Sequence, residues 1–156
     1  DHGCGMIHRR SVLQAGLVIA LAGRPGLAEW SSSPQTEVPL DGNGQSWFIL
    51  ATLNGTVRGL FLLDTGASYC VLAPNFARRL ALPPGGARVS LRTANGVVQA
   101  PIVSLNSVDV GGSRARSVQA VVHDAVAPPL DGIIGLSFLN NFTYAVDPRR
   151  RVLRLR

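Results

Sequence analysis

The residue pair that most restricts what this chain can fold into is Asn54-Gly55. It is set between Ser46–Leu53 (Ser-Trp-Phe-Ile-Leu-Ala-Thr-Leu) and Thr56–Leu63 (Thr-Val-Arg-Gly-Leu-Phe-Leu-Leu). Both flanks are rich in strand formers, and Asn-Gly supplies the two consecutive positive-φ residues that a tight hairpin turn needs. The pattern predicts an antiparallel hairpin whose second strand runs out at Asp64-Thr65-Gly66, the one Asp-Thr/Ser-Gly triplet in the chain. An aspartate that leaves a buried strand into a Thr-Gly turn puts a carboxylate at the floor of a cleft. Thr65 offers a hydroxyl for hydrogen bonding, and Gly66, lacking Cβ, admits another backbone at close range.

The rest of the chain reads as short strands punctuated by turn residues. Val89–Thr93 and Val97–Val103 form a second candidate hairpin around Ala94-Asn95-Gly96, Ser104–Val110 a strand closed by Gly111-Gly112, and Arg116–His123 another. Val71-Leu72 continues a strand beyond the Thr-Gly turn. Pro74–Leu82 predicts a short helix, with proline at its first position and Pro83-Pro84-Gly85-Gly86 ending it. Tyr144–Val146, the Asp147-Pro148-Arg149 turn and Val152–Leu155 predict a final hairpin, and the end of the chain is expected to pair across a dimer. With 156 residues, 46% of them hydrophobic, the chain can bury one core. Seventeen glycines and ten prolines at turn-like spacing fit an all-β domain.

In this order the landmarks resemble the retropepsin-like clan of aspartic peptidases, single-lobe relatives of pepsin. More narrowly, they resemble its bacterial exported or membrane-tethered members. The resemblance runs from about Val38 to Leu155. It implies an all-β, single-lobe closed barrel with one or two short helices and a β-hairpin flap. By the same resemblance Asp64 is the catalytic aspartate, and Thr65, Gly66, Ala67 and Ser68 complete the active-site loop. The flap covers Thr93, Ala94, Asn95, Gly96 and Val97, continuing to Ala100. Ile133, Ile134 and Gly135, followed by a short helix over Leu136–Leu139, buttress the loop. Where retroviral enzymes place Arg-Asn after that glycine, this chain has Leu136-Ser137, so their dimer contacts do not carry over.

Such an enzyme activates water between two carboxylates, and only one Asp-Thr-Gly is present. The resemblance therefore implies a homodimer with Asp64 from each subunit, a peptide or protein substrate, and no cofactor or metal. Asp131-Gly132 lacks the hydroxyl residue and strand context of Asp64, and predicts a turn or cap role. Two other readings stay open: a catalytically silent peptide-binding domain of the same fold, and an unrelated β-sandwich surface module.

Residues 1–28 read as targeting sequence. Met6 is the only methionine and a candidate true start; His8-Arg9-Arg10 precedes an apolar stretch over Val12–Ala22, and Gly26-Leu27-Ala28 offers small residues before a cleavage point. Arg9-Arg10-Ser11-Val12-Leu13 also resembles the twin-arginine export pattern. The alternatives are a cleaved signal peptide, which places the protein in the periplasm or cell envelope, and a membrane tether. Residues 29–39 read as a lead-in, with the domain over 40–156. All fifteen basic residues are arginine; without residues 1–28, twelve arginines stand against eight acids, a net charge of +4. The terminal cluster Arg149, Arg150, Arg151, Arg154 and Arg156 reads as a solvated strand and turn, since no nucleic-acid motif accompanies it. Cys70 reads as a core residue and His123-Asp124 as an exposed polar pair; neither stands at metal-ligand spacing.

Overall fold

The computed structural model describes residues 34–82 and 86–156, so the expectations for residues 1–28 lie outside the described residues. The Asn-Gly hairpin forms as the sequence predicts. Strands β3 (Trp47–Leu53) and β4 (Val57–Leu63) pair antiparallel with Ile49 opposite Phe61. Asn54 and Gly55 take φ of 51° and 77°, and Thr56 N–H donates to Leu53 O at 3.2 Å. Alternation decides what is buried: Ile49, Ala51 and Leu53 on one strand and Phe61 and Leu63 on the other point inward.

The remaining strands of the main sheet are β2 (Asp41–Gly42), β5 (Cys70–Leu72), β6 (Arg88–Thr93), β7 (Gly96–Val110), β8 (Ser113–Val122) and β9 (Gly132–Ile134). The sheet order is β2-β3-β4-β9-β5-β8-β7-β6, and an additional β3–β7 pairing closes six of these strands into a barrel. Strands β5 and β9 are buried along their whole length. They read as unbroken apolar runs because each has neighbours on both edges and side chains covered on both faces. Phe61, Phe76 and Phe138 anchor the interior, the first two edge to face at 5.4 Å. Each such ring contributes roughly 1.5–3 kcal/mol by leaving water.

Four differences from the sequence expectations have local causes. Val97–Val103 and Ser104–Val110 are one strand: β7 runs fifteen residues, pairing first with β6 and then with β8. Pro101, which has no N–H to donate, falls where the partner changes. The first helix, α1, spans only Pro74–Arg78; it ends before Ala81, whose φ of +48° is incompatible with continuing the helix.

The other two concern the chain ends. Thr36–Pro39, placed in the lead-in by sequence, form β1, which pairs with β11 (Val152–Leu155) and buries Val38. Strand β11 is therefore the middle of a three-stranded sheet, flanked by β1 and β10 (Tyr144–Asp147). Both its edges are occupied within the chain, so it does not pair across a dimer. Much of the terminal arginine cluster serves this sheet. Arg150 donates to both Glu37 carboxylate oxygens at 2.7 and 2.9 Å, Arg154 donates to Asp147 at 3.0 Å, and Arg156 to Gln35 at 3.2 Å.

Candidate active site

The Asp-Thr-Gly turn joins β4 to β5, yet these strands are not neighbours. Strand β9 is inserted between them, parallel to β4 and antiparallel to β5. This insertion fixes the turn from beneath. Asp64 N–H donates to Ile134 O at 3.0 Å, extending the β4–β9 ladder by one residue, and Leu136 N–H donates to Ala67 O at 2.8 Å. Gly135 sits under the loop so closely that a Cβ there would lie 2.5 Å from Tyr69 O and 2.6 Å from Ala67 O. Its backbone is ordinary extended chain (φ −116°), so glycine is required by space rather than by conformation. Ile133, Ile134 and Gly135 thus underlie the loop, and α2 (Leu136–Leu139) follows directly.

At the turn itself, the Asp64 carboxylate is half-buried and accepts the Gly66 N–H at 2.8 Å through Oδ1. A backbone donor of this kind holds the carboxylate in one orientation. Thr65, Gly66 and Ser68 are exposed, while Ala67 and Tyr69 are half-buried.

The flap residues form the end of the β6–β7 hairpin, with Ala94-Asn95 at the turn. Thr93 Oγ1 donates to Gly96 O at 2.9 Å and accepts Asn95 N–H at 3.3 Å. Val97, 64% exposed, is among the few large apolar side chains left in solvent. A groove of about 470 Å³ lies between loop and flap strand, bounded by Gly66–Tyr69 on one side and Ser90–Thr93 on the other. Thr93 lines it; Ala94, Asn95, Gly96 and Val97 do not, nor do Asp64 and Thr65, which stand beside it. Its floor includes Val71 and Val121, part of a small apolar cluster separate from the barrel core.

Asp131 is engaged elsewhere. Its Oδ2 accepts Leu60 N–H at 2.9 Å, its own N–H donates to Leu60 O at 2.7 Å, and its carbonyl accepts Ala73 N–H at 2.9 Å. Leu60 precedes Asp64 by four strand residues, which separates the two aspartates by roughly 13 Å along β4. The turn role expected of Asp131 fits these contacts.

Two residues escaped the sequence reading. Ser137 Oγ accepts Cys70 N–H at 2.8 Å and donates to Gln119 O at 2.7 Å, tying the exit of the loop to β8. A serine in a short helix carries no sequence mark of such a tie. His123 is not an exposed partner of Asp124: it is half-buried and lines the groove. Period-two alternation from Val121 could have found it. Cys70 is buried as expected, and loss of solvent raises its thiol pKa above the usual 9.0.

A six-stranded barrel in which a third strand is threaded between the two that flank an Asp-Thr-Gly turn defines a retropepsin-like aspartic peptidase lobe. The crystal structure of a retropepsin-like aspartic protease from Rickettsia conorii has the same fold, with a TM-score of 0.56 and 24% identity over 78% of this chain and 89% of that one. The family model described as Aspartyl protease matches residues 49–138, more than half of the sequence, and the chain belongs to that family. An uncharacterized protein from the cobV 5′ region of Sinorhizobium sp. is 35% identical in an alignment 129 positions long that covers 74% of this chain and 54% of that protein. The chain thus spans about half the length of this curated relative.

Proposed function

We propose that this protein is an aspartic endopeptidase that acts as a homodimer, each active site containing Asp64 from both subunits. The observation that carries the reading is the Asp64 carboxylate, oriented by the Gly66 N–H on a loop held from below by β9 and set beside a groove bounded on its other side by Ser90–Thr93 of β6. The two carboxylates share one proton across a twofold axis. Like charges at that distance do not both ionise, so the pair titrates in two separated macroscopic steps. The ionised member takes a proton from a water held between them while the protonated member donates to the scissile carbonyl oxygen. The resulting tetrahedral diol collapses as the amine leaves with a proton, and no covalent enzyme intermediate forms. Asp131 is roughly 13 Å away along the strand and committed to Leu60, which supports drawing the second carboxylate from another subunit.

The reading extends to location. The basic, apolar and small-residue succession in residues 1–28 supports export to the periplasm or cell envelope, by cleavage after Ala28 or by retention as a tether. Fractionation of cells expressing the full chain tests this.

Asp64→Asn keeps the side-chain shape but removes the base, and turnover of a peptide library should vanish while the circular dichroism spectrum stays unchanged. Mixing equal amounts of wild type and Asp64→Asn should leave about a quarter of the dimers with two aspartates, and specific activity should fall on dilution through the dimer dissociation constant. Retained turnover by pure Asp64→Asn protein sinks the mechanism. Concentration-independent specific activity together with a dead Asp131→Asn variant sinks the homodimer.

A further inference from the structure

Resting on the homodimeric reading above, we propose that two copies of this chain join through the outer edge of β10, antiparallel about a twofold axis at Ala145. Three strands from each copy then make one continuous sheet, β1-β11-β10 of the first running into β10-β11-β1 of the second.

Strand β10 ends the terminal sheet, with β11 on one side and no strand on the other among the described residues. Thr143 and Arg156 exchange both main-chain bonds, each at 2.9 Å, and such exchanging pairs recur at every second residue of an antiparallel ladder. Ala145 with Arg154 and Asp147 with Val152 are therefore bonded to β11. Tyr144 and Val146 turn their N–H and C=O groups outward, where none has a partner among the described residues. An open row of this kind is a template for another strand. The opposite edge is blunted: Leu40 N–H donates to Arg151 O, which sets the outward positions of β1 at Glu37 and Pro39, a charge and a residue with no N–H. In the larger sheet, β2 has only two residues and β6 borders the groove.

The register follows from what each position can give. Centred on Ala145, Tyr144 stands opposite the partner subunit's Val146, and every outward N–H meets an outward C=O. Centred on Tyr144, Val146 would meet Phe142, whose N–H is already given to Leu139 O at 3.0 Å. Centred on Val146, Tyr144 would meet Pro148, which has no N–H. In the Ala145 register no charge faces its own copy, since exposed Ala145 meets Ala145 and Asp147 meets Thr143. Tyr144 and Val146, half-buried against the barrel core, cover one another across the seam.

This edge belongs to the end of the barrel that carries Asp64. Arg151, in the turn after β10, donates to Gly42 O and sets its guanidinium 5.7 Å from the centre of the Trp47 ring. Trp47 stands opposite Leu63, the residue before Asp64. From Gly135 beneath the active-site loop, α2 leads on to β10.

Ala145→Cys sets two thiols on a pair that is not hydrogen-bonded, about 4.5 Å apart at Cα, which a disulfide spans. Cys70 is buried and does not compete. The variant should run as a covalent dimer on a non-reducing gel after air oxidation, and Thr143→Cys, displaced from the axis, should not. Val146→Pro removes an outward N–H, a change that an edge strand tolerates. It takes one bond from each half of the seam, so sedimentation should give a dimer Kd about a hundredfold higher, roughly tenfold for each bond, with an unchanged circular dichroism spectrum. Specific activity at a fixed concentration should fall with the dimer, while Val146→Ala, which keeps the N–H, should stay dimeric. No crosslink from Ala145→Cys in a sample that sediments as a dimer, or a Val146→Pro protein as tightly dimeric as wild type, overturns the proposal. If that happens while peptides are still cleaved, the subunits meet elsewhere and the homodimeric peptidase stands. If the crosslink forms and Val146→Pro dissociates but no library peptide is cleaved, the proteolytic reading fails and the interface stands. Wild type that is monomeric at every concentration overturns the interface and the homodimer together.

Discussion

Gly135→Ala tests whether the loop is held in place from below. Because φ at Gly135 is −116°, alanine suffers no backbone penalty there, and the whole effect comes from the added methyl group. An ideal Cβ would lie 2.5 Å from Tyr69 O, 2.6 Å from Ala67 O and 3.0 Å from the Tyr69 carbonyl carbon. All three are main-chain atoms of the turn, so no side chain can swing aside, and the loop must lift by about half an ångström to restore ordinary contact. Inserting a methyl into packed structure costs about 1–3 kcal/mol. The Leu136 N–H bond to Ala67 O, now 2.8 Å, stretches in the same movement, adding about 1 kcal/mol. The sum is about 2–4 kcal/mol, against a usual domain stability of about 5–15 kcal/mol, so the variant should still fold. In urea, with m of about 2 kcal/mol/M, the midpoint should drop by about 1–2 M. Activity should fall further than stability suggests, by about a hundredfold, because the displaced atoms of Ala67 and Tyr69 belong to the loop that presents Asp64. A midpoint within about 0.3 M of wild type, or full activity in the folded variant, would refute the account of β9 as the support of the loop.

Ser137→Ala removes the acceptor for Cys70 N–H and the donor to Gln119 O. Leaving a buried N–H unpartnered should cost about 1–3 kcal/mol in a denaturant titration, and an unchanged midpoint would show that the tie is dispensable. Asp131→Asn retains an oxygen for Leu60 N–H and should keep most activity, whereas Asp131→Ala should lose about 1–3 kcal/mol of stability. Urea midpoints and peptide turnover for the pair separate a structural from a catalytic role. Cys70 should react with iodoacetamide only as fast as the protein opens. Since burial raises the folded thiol pKa above the unfolded 9.0, the protonated core form stabilises fully below pH 9 and that contribution should fade as pH rises beyond it, which thermal melts between about pH 8 and 10.5 can follow.

What the sequence disclosed depended on how local the cause was. Asn54-Gly55, the alternation on either side of it, and the Asp147-Pro148 turn act over a few residues, and the two hairpins formed where those signals stood. Strand β1 was hidden because Thr36-Glu37-Val38-Pro39 has one buried apolar residue and ends in proline. Its reason for being a strand is β11, more than a hundred residues away. The fusion of two strands into β7 escaped because a proline usually interrupts a ladder, and here it falls at a change of partner. At the candidate site, the triplet, the flap hairpin and Ile133-Ile134-Gly135 were legible as motifs. Their mutual support was not, since it consists of main-chain bonds from Asp64 and Leu136 that any side chain would permit. His123 was misread because its neighbour Asp124 suggested a charge pair, while burial of Val121 decided the side it faces.

The terminal sheet has a consequence for how this domain is carried. Thr36 stands opposite Leu155 in the β1–β11 register, so the two ends of the folded unit lie side by side, about 5 Å apart at their Cα atoms. Whatever precedes residue 34 and whatever is joined beyond residue 156 depart from one edge. A polypeptide can therefore enter and leave this domain through a single doorway, and the barrel can be spliced into the middle of a longer chain, or permuted by a short covalent bridge between its ends, without its strands being drawn apart.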